Sequence, residues 1–324
     1  MLHMREAVVS VILWSLPLMG QADQARRTVV DPLPDEEILE PCVYQLAPVE
    51  FKDPVRAAWV IFDRGQDYLQ WFHDRRVRAF ASGHRLALIL AMHCRSKERP
   101  DMIVLPEKGV GRAMFKALDQ FAAEAGRAEL AGAGVIAMGW SGAGSLVGRL
   151  AGYRTERYVA GIAYAPGQYE PLGMDTIALL EPAARRPQLI IANGGDGING
   201  TERPYGYFRK YYERGAPWTF VVQNRTPHCC LQNAQTLILE WLAAVLAADG
   251  PGLGKGEHGY MTTEVSDVTD EWKRPVFNLR SSRTGRRGIL RPGELPAGWM
   301  PSPEFAREWL NLTRRRTPVA VWRP

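Results

Sequence analysis

The feature that most constrains the fold is an alternation of short apolar runs with longer helix-like stretches between residues 57 and 246. Unbroken apolar runs are typical of strands buried on both faces of a parallel sheet. The stretches between them repeat apolar residues at intervals of three and four, as amphipathic helices do. This alternation predicts an α/β fold with a parallel sheet. The predicted strands are Ala58–Phe62, Leu86–Met92, Val135–Met138, Tyr158–Tyr164, Gln188–Ala192 and Trp218–Gln223, and the predicted helices are Asp67–Phe80, Gly109–Ala125, Leu146–Leu150 and Leu231–Leu246.

The first 22 residues have the layout of a secretory signal peptide. Met1–Arg5 is positively charged, Val8–Met19 is apolar, and Gly20–Ala22 offers small residues for cleavage after Ala22. A membrane anchor is the alternative, but the apolar run is shorter than the roughly 20 residues that span a bilayer. We therefore expect a secreted or periplasmic protein without stable membrane insertion after cleavage.

The remaining chain divides into a predicted α/β domain over residues 23–250 and a C-terminal extension over residues 251–324. The stretch Gly250–Gly259 is rich in glycine and separates the two. Disordered segments are usually poor in aromatic residues, so the tryptophans of the extension predict that it packs on the main domain. These tryptophans are Trp272, Trp299, Trp309 and Trp322.

The positive charge lies in the extension. Residues 251–324 hold 13 Lys and Arg against 8 Asp and Glu, an excess that equals the net charge of +5 of the whole chain. The clusters Arg283–Arg287 and Arg314–Arg316 lack the interleaved aromatic residues of a nucleic-acid platform. We interpret them as a solvated basic face, and we expect no nucleic-acid partner.

A candidate nucleophile lies where the predicted strand Val135–Met138 runs into a glycine-rich turn and then a helix. A serine hydroxyl is a weak nucleophile that must be presented clear of its neighbours and beside a base. Ser141 occupies the centre of the motif Gly-Trp-Ser-Gly-Ala, a variant of G-x-S-x-G whose last position is alanine. Small residues suit the tight turn, and the expected elbow residues are Gly139, Trp140, Ala143 and Gly144.

Two further residues follow later strands in the order that a Ser-Asp-His triad on such a sheet requires. Asp196 follows the strand Gln188–Ala192, and His228 follows the strand Trp218–Gln223 immediately before the last predicted helix. Asp175, in the long loop after Tyr158–Tyr164, is a rival for the acid. The other five histidines lie outside the required loop.

Together, the elbow Gly139–Gly144, Asp196, His228 and the strand–helix series resemble the α/β-hydrolase superfamily. The chain is most similar in type to its secreted esterases of the dienelactone-hydrolase and polyester-depolymerase kind. The resemblance covers about residues 57–246 and implies an α/β-hydrolase fold: a mostly parallel eight-strand sheet with helices on both faces. It leaves an irregular C-terminal extension outside the fold and implies no cofactor.

The resemblance also implies an oxyanion hole, in which backbone N–H groups stabilise the negative charge that develops on a carbonyl oxygen. The N–H of Gly142, next to the nucleophile, is one expected donor. The turn Asp63-Arg64-Gly65-Gln66 follows an earlier strand and matches a His-Gly turn with Arg64 in place of histidine. By analogy Gln66 supplies the second N–H, although this turn could instead serve only as a helix cap.

The function expected from these residues is hydrolysis of a small-molecule or polymeric ester through an acyl-enzyme on Ser141. A peptidase or an acyltransferase with the same triad is one alternative, because the triad does not specify the leaving group. A non-catalytic binding protein on a hydrolase scaffold is another. Trp140, Tyr169 and Tyr205 either line an aromatic pocket or fill space beneath loops.

Four cysteines are present, Cys42, Cys94, Cys229 and Cys230, without the spacing of a structural zinc site, so we expect no metal. An even count permits disulfides in an oxidising compartment, and sequence leaves the pairing open. We expect either that Cys229 and Cys230 are two independent thiols or that one of them bridges to Cys42 or Cys94. Both arrangements are preferred to a bridge between the two neighbours.

Overall fold

The computed structural model describes residues 25–48, 53–62, 66–97, 105–167, 173–212, 214, 216–223, 225–248, 278–280, 287–289, 299 and 302–314. Several sequence predictions fall outside this part of the chain. They are the signal peptide 1–22, residues 63–65 of the turn before Gln66, Tyr169, Trp272, Trp322, most of the cluster Arg283–Arg287, and Arg315 and Arg316.

One sheet of eight strands forms the centre of the molecule, in the order β1-β2-β4-β3-β5-β6-β7-β8. β1 and β2 pair antiparallel, as do β2 and β4, and all later neighbours are parallel. The predicted mostly parallel eight-strand sheet is confirmed. The strands are β1 (Arg26–Val30), β2 (Cys42–Leu46), β3 (Ala57–Phe62), β4 (Leu86–Met92), β5 (Gly134–Trp140), β6 (Tyr158–Tyr164), β7 (Gln188–Asn193) and β8 (Trp218–Gln223).

The central strands are buried along their whole length, as their unbroken apolar sequences predict. Every residue of β3, β6, β7 and β8 is buried, so both faces of the sheet are covered. The α-helices are α1 (Gln66–His73), α2 (Arg75–Gly83), α3 (Val110–Glu124), α4 (Glu129–Gly132), α5 (Gly142–Tyr153), α6 (Glu202–Tyr212), α7 (Gln235–Ala248) and α8 (Pro303–Arg314).

Local chemistry explains where the helices differ from the sequence predictions. The stretch predicted as one helix, Asp67–Phe80, is divided by Asp74, whose carboxylate caps α2 by accepting hydrogen bonds from the N–H groups of Arg76 and Val77. The predicted Leu231–Leu246 begins instead as a short 3₁₀ helix, Leu231–Ala234, before α7. Neither α6 nor the two N-terminal strands were predicted.

Trp299 and α8, both in the C-terminal extension, pack on the sheet edge formed by β8. The N–H of Trp299 donates to the carbonyl of Trp218 at 2.7 Å, and the Thr219 hydroxyl donates to the carbonyl of Trp299. The buried indole of Trp309, on α8, donates to the carbonyl of Phe220 at 2.8 Å. These contacts cover an edge that would otherwise leave backbone groups unpaired. A further antiparallel pair, Asn278–Arg280 with Arg287–Ile289, makes a separate two-stranded sheet.

The two disulfides lie near different strands of the large sheet. Cys42 begins β2 and Cys94 follows β4, and because these strands are neighbours the two residues form a buried bridge. Cys229 and Cys230, after β8, bridge to each other. The preference against a vicinal bridge was wrong. The carbonyl of Cys229 is bonded to residues that end β6 and β7, so this pair lies away from β2 and β4, where Cys42 and Cys94 meet.

A buried carboxylate ties the N-terminal segment to α3. Glu36 accepts hydrogen bonds from Arg112 at 2.5 and 2.7 Å and from the N–H of Leu33 at 2.8 Å. The side chain of Glu36 is 8% exposed, whereas that of Arg112 is 31% exposed. The pKa of Glu36 is lowered below its ordinary 4.5, chiefly by the hydrogen bonds from Arg112. The N–H of Leu33 and the charge of Lys97 lower this pKa further, whereas burial acts in the opposite direction.

Glu36→Gln is therefore expected to reduce the free energy of unfolding in a pH-dependent way. A carboxyl whose pKa is lower in the folded protein stabilises it above the ordinary pKa, and this contribution disappears as pH falls through the folded-state value. At pH 7 the substitution should cost about 2 kcal/mol, since it leaves Arg112 without its partner. Urea unfolding over a series of falling pH values measures the effect, which should shrink as Glu36 becomes protonated in the folded protein.

Glu37→Gln is the matched control, because its ion pair with Lys108 is exposed on both sides. An exposed pair contributes about 0–1 kcal/mol. Equal losses from the two substitutions, or a Glu36→Gln loss that persists at low pH, would show that the ion pair does not fasten this segment.

No helix within the described ranges is long and apolar enough to cross a bilayer.

Candidate active site

Ser141 lies at a sharp turn between β5 and α5. Its backbone adopts φ 54° and ψ −122°, a conformation that non-glycine residues rarely adopt, and the residue is 6% exposed. Its carbonyl accepts hydrogen bonds from the N–H groups of Gly144 at 2.9 Å and Gly167 at 2.6 Å. The turn is thus held from the helix on one side and from the loop after β6 on the other.

Small residues around Ser141 allow this close approach. A side chain at Gly139 would place its Cβ 2.4 Å from the carbonyl oxygen of Ala143, so only glycine fits there. At Gly144 a Cβ would lie 3.0 Å from Pro166. Ala143 itself is buried, and its methyl group fits the position that carries glycine in the G-x-S-x-G pattern. The departure from that pattern therefore leaves the turn intact.

Asp196 lies in the turn after β7 with its side chain wholly buried. One carboxylate oxygen accepts hydrogen bonds from the N–H groups of Ile198 at 2.8 Å and Asn199 at 2.9 Å. The other oxygen lies 2.7 Å from Nδ1 of His228. Each oxygen is therefore bonded, and the carboxylate is held in a single orientation.

The Asp196 contact also fixes the tautomer of His228. Because the carboxylate accepts, Nδ1 of the imidazole carries the proton, and Nε2 is left as the basic nitrogen. The His228 side chain is 13% exposed, which leaves part of the ring open to a small molecule. The imidazole ring centroid lies 4.8 Å from that of Trp140, the residue next to Ser141. The structure thus brings Asp196 and His228 together beside the Ser141 turn.

Trp140 ends β5 and packs between two rings. It contacts His228 on one side and stacks with Tyr68 of α1 at 6.5 Å. The indole nitrogen is buried and has no hydrogen-bond partner among the described residues. Trp140 therefore packs against the imidazole of His228 and connects it to α1.

Polar side chains that sequence reasoning missed fasten the loop carrying His228. Asn193, at the end of β7, donates from its amide to the carbonyls on either side of His228, Pro227 at 2.7 Å and Cys229 at 3.1 Å. The hydroxyl of Tyr164, at the end of β6, also donates to Cys229 at 2.6 Å. Both residues end strands at the same sheet edge, and this position is the sequence feature from which their supporting role could have been predicted.

Asn199 performs a similar task for the loop that carries Asp196. Its backbone N–H donates to Asp196, and its buried amide donates to the carbonyl of Ala165 at 2.8 Å. Ala165 follows β6 and has φ 40°, so this hydrogen bond helps hold an unusual backbone conformation. Asn199 therefore connects the acid loop with the loop that supports Ser141.

The expected oxyanion donors follow neighbouring strands. Gly142 is the first residue of α5 and Gln66 is the first residue of α1. N–H groups in the first turn of a helix have no partner within the helix. The strands preceding these helices are adjacent and parallel, with Phe62 paired to Gly139, so both helices begin at the same sheet edge. The proposed roles of Gly142 and Gln66 are compatible with this placement.

Other candidates have different positions. Asp175 lies 3.9 Å from Arg203 and is 42% exposed, whereas Asp196 is the carboxylate bonded to His228.

Tyr205 packs its ring against Phe208 and Phe220, on α6 and β8, and so fills space beside the sheet. No group of three metal-ligating side chains occurs within the described residues.

Solved structures with a similar fold include the acylaminoacyl peptidase of Pyrococcus horikoshii, with a TM-score of 0.50 at 12% identity. That alignment covers 73% of this chain and 43% of the peptidase. An esterase from the archaeon Pyrobaculum calidifontis aligns at 14% identity and TM-score 0.45, covering 69% of this chain and 85% of the esterase. A ferulic acid esterase aligns at 10% identity and TM-score 0.48, covering 68% and 98%.

No protein-family model matches the sequence, and no curated protein matches it. The chain has the α/β-hydrolase fold, as its sheet order, parallel strands and structural similarity to the peptidase indicate.

Proposed function

We propose that this protein is a serine hydrolase that cleaves carboxylic esters through a covalent intermediate on Ser141. The observation that carries the proposal is the 2.7 Å hydrogen bond between His228 and the buried Asp196, beside the strained turn that presents Ser141. A buried carboxylate that fixes one imidazole tautomer is what a serine nucleophile needs from its base. The α/β-hydrolase fold, which carries such groups at this sheet edge, supports the assignment.

In the proposed first step, Nε2 of His228 accepts the proton of the Ser141 hydroxyl as the oxygen attacks the ester carbonyl. The imidazolium that forms is stabilised by the carboxylate of Asp196. Negative charge develops on the former carbonyl oxygen, and the N–H groups of Gly142 and Gln66 are the proposed donors to it. The imidazolium then gives its proton to the leaving alcohol, and an acyl group remains on Ser141.

In the second step, His228 activates a water molecule that attacks the acyl carbonyl, and Ser141 is released with its proton restored. The same residues therefore act twice, first with the hydroxyl and then with water. No metal or redox group enters this scheme, because the imidazole, the carboxylate and the N–H donors supply the required proton transfers and charge stabilisation.

The proposed substrates are small or polymeric carboxylic esters, as the resemblance to dienelactone-hydrolase- and polyester-depolymerase-like esterases suggests. The indole of Trp140 offers an apolar surface beside His228, which suits an aliphatic or aromatic group next to the ester. An ester is also easier to cleave than an amide, because the alkoxide is the better leaving group.

A panel of p-nitrophenyl esters with acetyl, butyryl and octanoyl groups, assayed beside amino-acyl p-nitroanilides, tests the substrate class. We expect turnover of the esters with kcat/KM well above that of the anilides. Faster turnover of the anilides would identify a peptidase instead. Turnover of neither class by folded protein would contradict hydrolysis and favour a binding protein on this scaffold.

We further propose that the mature protein is secreted or periplasmic. The N-terminal sequence with its apolar stretch and the two disulfides support this, since structural disulfides persist in oxidising compartments. Amino-terminal sequencing of protein recovered from the medium or the periplasm should begin at Asp23. Recovery only from the cytoplasm, with Met1 retained, would contradict the proposal.

A further inference from the structure

We propose that the Cys229–Cys230 disulfide is a redox-sensitive site that controls the placement of His228. In the oxidised protein the bridge holds the loop in the arrangement described above. A dithiol reductant opens the bridge and lowers the rate of the reaction. This inference rests on the proposed function of His228.

The backbone at the bridge is held in an unusual conformation. Cys230 has φ 74° and ψ 45°, in the left-handed region that residues other than glycine rarely adopt. A bond between adjacent side chains closes a small ring that contains the peptide bond joining them. The ring therefore restricts the backbone of both residues covalently. Without the ring, only hydrogen bonds to its carbonyl hold Cys230 in this conformation, and the residue can relax into a common one.

The restricted backbone presents its carbonyls to the ends of three strands. The Cys229 carbonyl accepts hydrogen bonds from Tyr164 and Asn193, and the Cys230 carbonyl accepts one from Gln223 at 3.4 Å. These donors lie on β6, β7 and β8. His228 immediately precedes this anchored segment. Rotation of the Cys229–Cys230 peptide would weaken the anchors and shift the imidazole relative to Ser141.

The two disulfides of the chain differ in their accessibility to a reductant. Cys42 and Cys94 are 0% and 3% exposed, whereas Cys229 and Cys230 are both partly exposed. Thiol–disulfide exchange requires a thiolate to approach a sulfur atom directly. We therefore expect a small dithiol to attack the bridge beside His228 in the folded protein and to leave the buried bridge between β2 and β4 intact.

The reduction is a balanced exchange with a dithiol. One thiolate of the reductant attacks a sulfur of the Cys229–Cys230 bridge, forms a mixed disulfide and releases the other cysteine as a thiolate, which takes up a proton. The second thiolate of the reductant then attacks the reductant's own sulfur in the mixed disulfide and expels the remaining cysteine as a thiolate, which also takes up a proton. Two electrons and two protons pass to the cysteine pair, and the reductant becomes a cyclic disulfide. Exchange with an oxidised dithiol reverses the change.

The experiment treats the folded, oxidised protein with graded dithiothreitol, alkylates the free thiols and maps them by mass spectrometry. Cys229 and Cys230 should be alkylated while Cys42 and Cys94 remain linked. At that point kcat for p-nitrophenyl acetate should fall about tenfold to a hundredfold, with KM changed little, as expected when a catalytic group is misplaced by about 1 Å. Removal of the reductant and reoxidation with oxidised dithiothreitol should restore the rate.

Hydrogen exchange of the backbone over residues 225–234 gives a readout that does not depend on any activity. It should become faster on reduction, because the amides of Cys229 and Asn233 are hydrogen-bonded within this loop. If the oxidised protein cleaves no ester but this exchange still responds to selective reduction, the proposed function fails and the redox site stands. Unchanged exchange would overturn the redox site even if esters are cleaved.

Two paired variants provide matched controls. The double variant Cys229→Ser/Cys230→Ser should have the low kcat of the reduced protein and no response to dithiothreitol. Cys42→Ala/Cys94→Ala should keep the response of the wild type. Selective reduction of Cys229–Cys230 without a fall in kcat, or reduction of Cys42–Cys94 first, would overturn the proposal even if the variants fail to fold, because both results come from the wild-type protein.

Discussion

Replacing Ser141 with alanine is expected to reduce kcat for p-nitrophenyl ester hydrolysis by about 10⁵-fold, because the acyl-enzyme can no longer form. The residual rate would come from the oxyanion donors and from binding alone. The fold should be unaffected, since an alanine side chain occupies less space at the same turn. Steady-state kinetics with substrate well above KM measure the loss, with circular dichroism confirming the folded state.

Ser82→Ala is the matched control for this substitution. Ser82 is an exposed serine in α2, and the same chemical change there should leave kcat within about twofold, as is usual for surface substitutions. A folded Ser141→Ala protein that retained more than about a hundredth of the wild-type kcat would show that another group is the nucleophile.

Asp196→Asn is expected to give the second largest effect, a reduction of kcat by about 10⁴-fold. The amide keeps the shape of the carboxylate, but it can present an N–H where Oδ2 now accepts from Nδ1 of His228. The imidazole would then favour the tautomer with its proton on Nε2, which cannot accept the proton of Ser141. The negative charge that stabilises the imidazolium would also be lost.

The measurement is kcat of Asp196→Asn at neutral pH. Asp175→Asn is the matched control, because it makes the same change at the other candidate for the acid. Asp175 was the rival acid from sequence, and its nearest charged partner is Arg203. Asp175→Asn should keep nearly the wild-type rate. If the two substitutions had equal effects, or if Asp175→Asn had the larger one, the assignment of the acid to Asp196 would be contradicted.

Much of the sheet could be predicted because its buried strands carry unbroken apolar sequences. All six predicted strands are present, and the turn at Ser141 follows β5 as expected. β1 and β2 could not be recognised in the same way, because they are short and lie in a segment rich in proline and acidic residues. α6 escaped prediction because Pro204, which is tolerated in a first turn, resembles a loop signal.

The site was only partly accessible to sequence reasoning. Ser141, Asp196 and His228 could be proposed from the sequence because each follows a recognisable strand in a fixed order, and the structure brings the last two into contact. The supporting roles of Asn193 and Asn199 could not be found, because they depend on which carbonyls the loops bring within reach. The vicinal disulfide was missed for a related reason, since it depends on where the loop after β8 lies and on the left-handed backbone of Cys230.

The measurement that tests the central claim most directly is the location of a fluorophosphonate adduct on the folded protein. Such a probe reacts with a serine whose hydroxyl is activated by a neighbouring base. Digestion and mass spectrometry should find a single adduct, on Ser141, and unfolding the protein beforehand should prevent its formation. A folded protein that remains unlabelled, or one labelled at another residue, would contradict the assignment of Ser141 as an activated nucleophile.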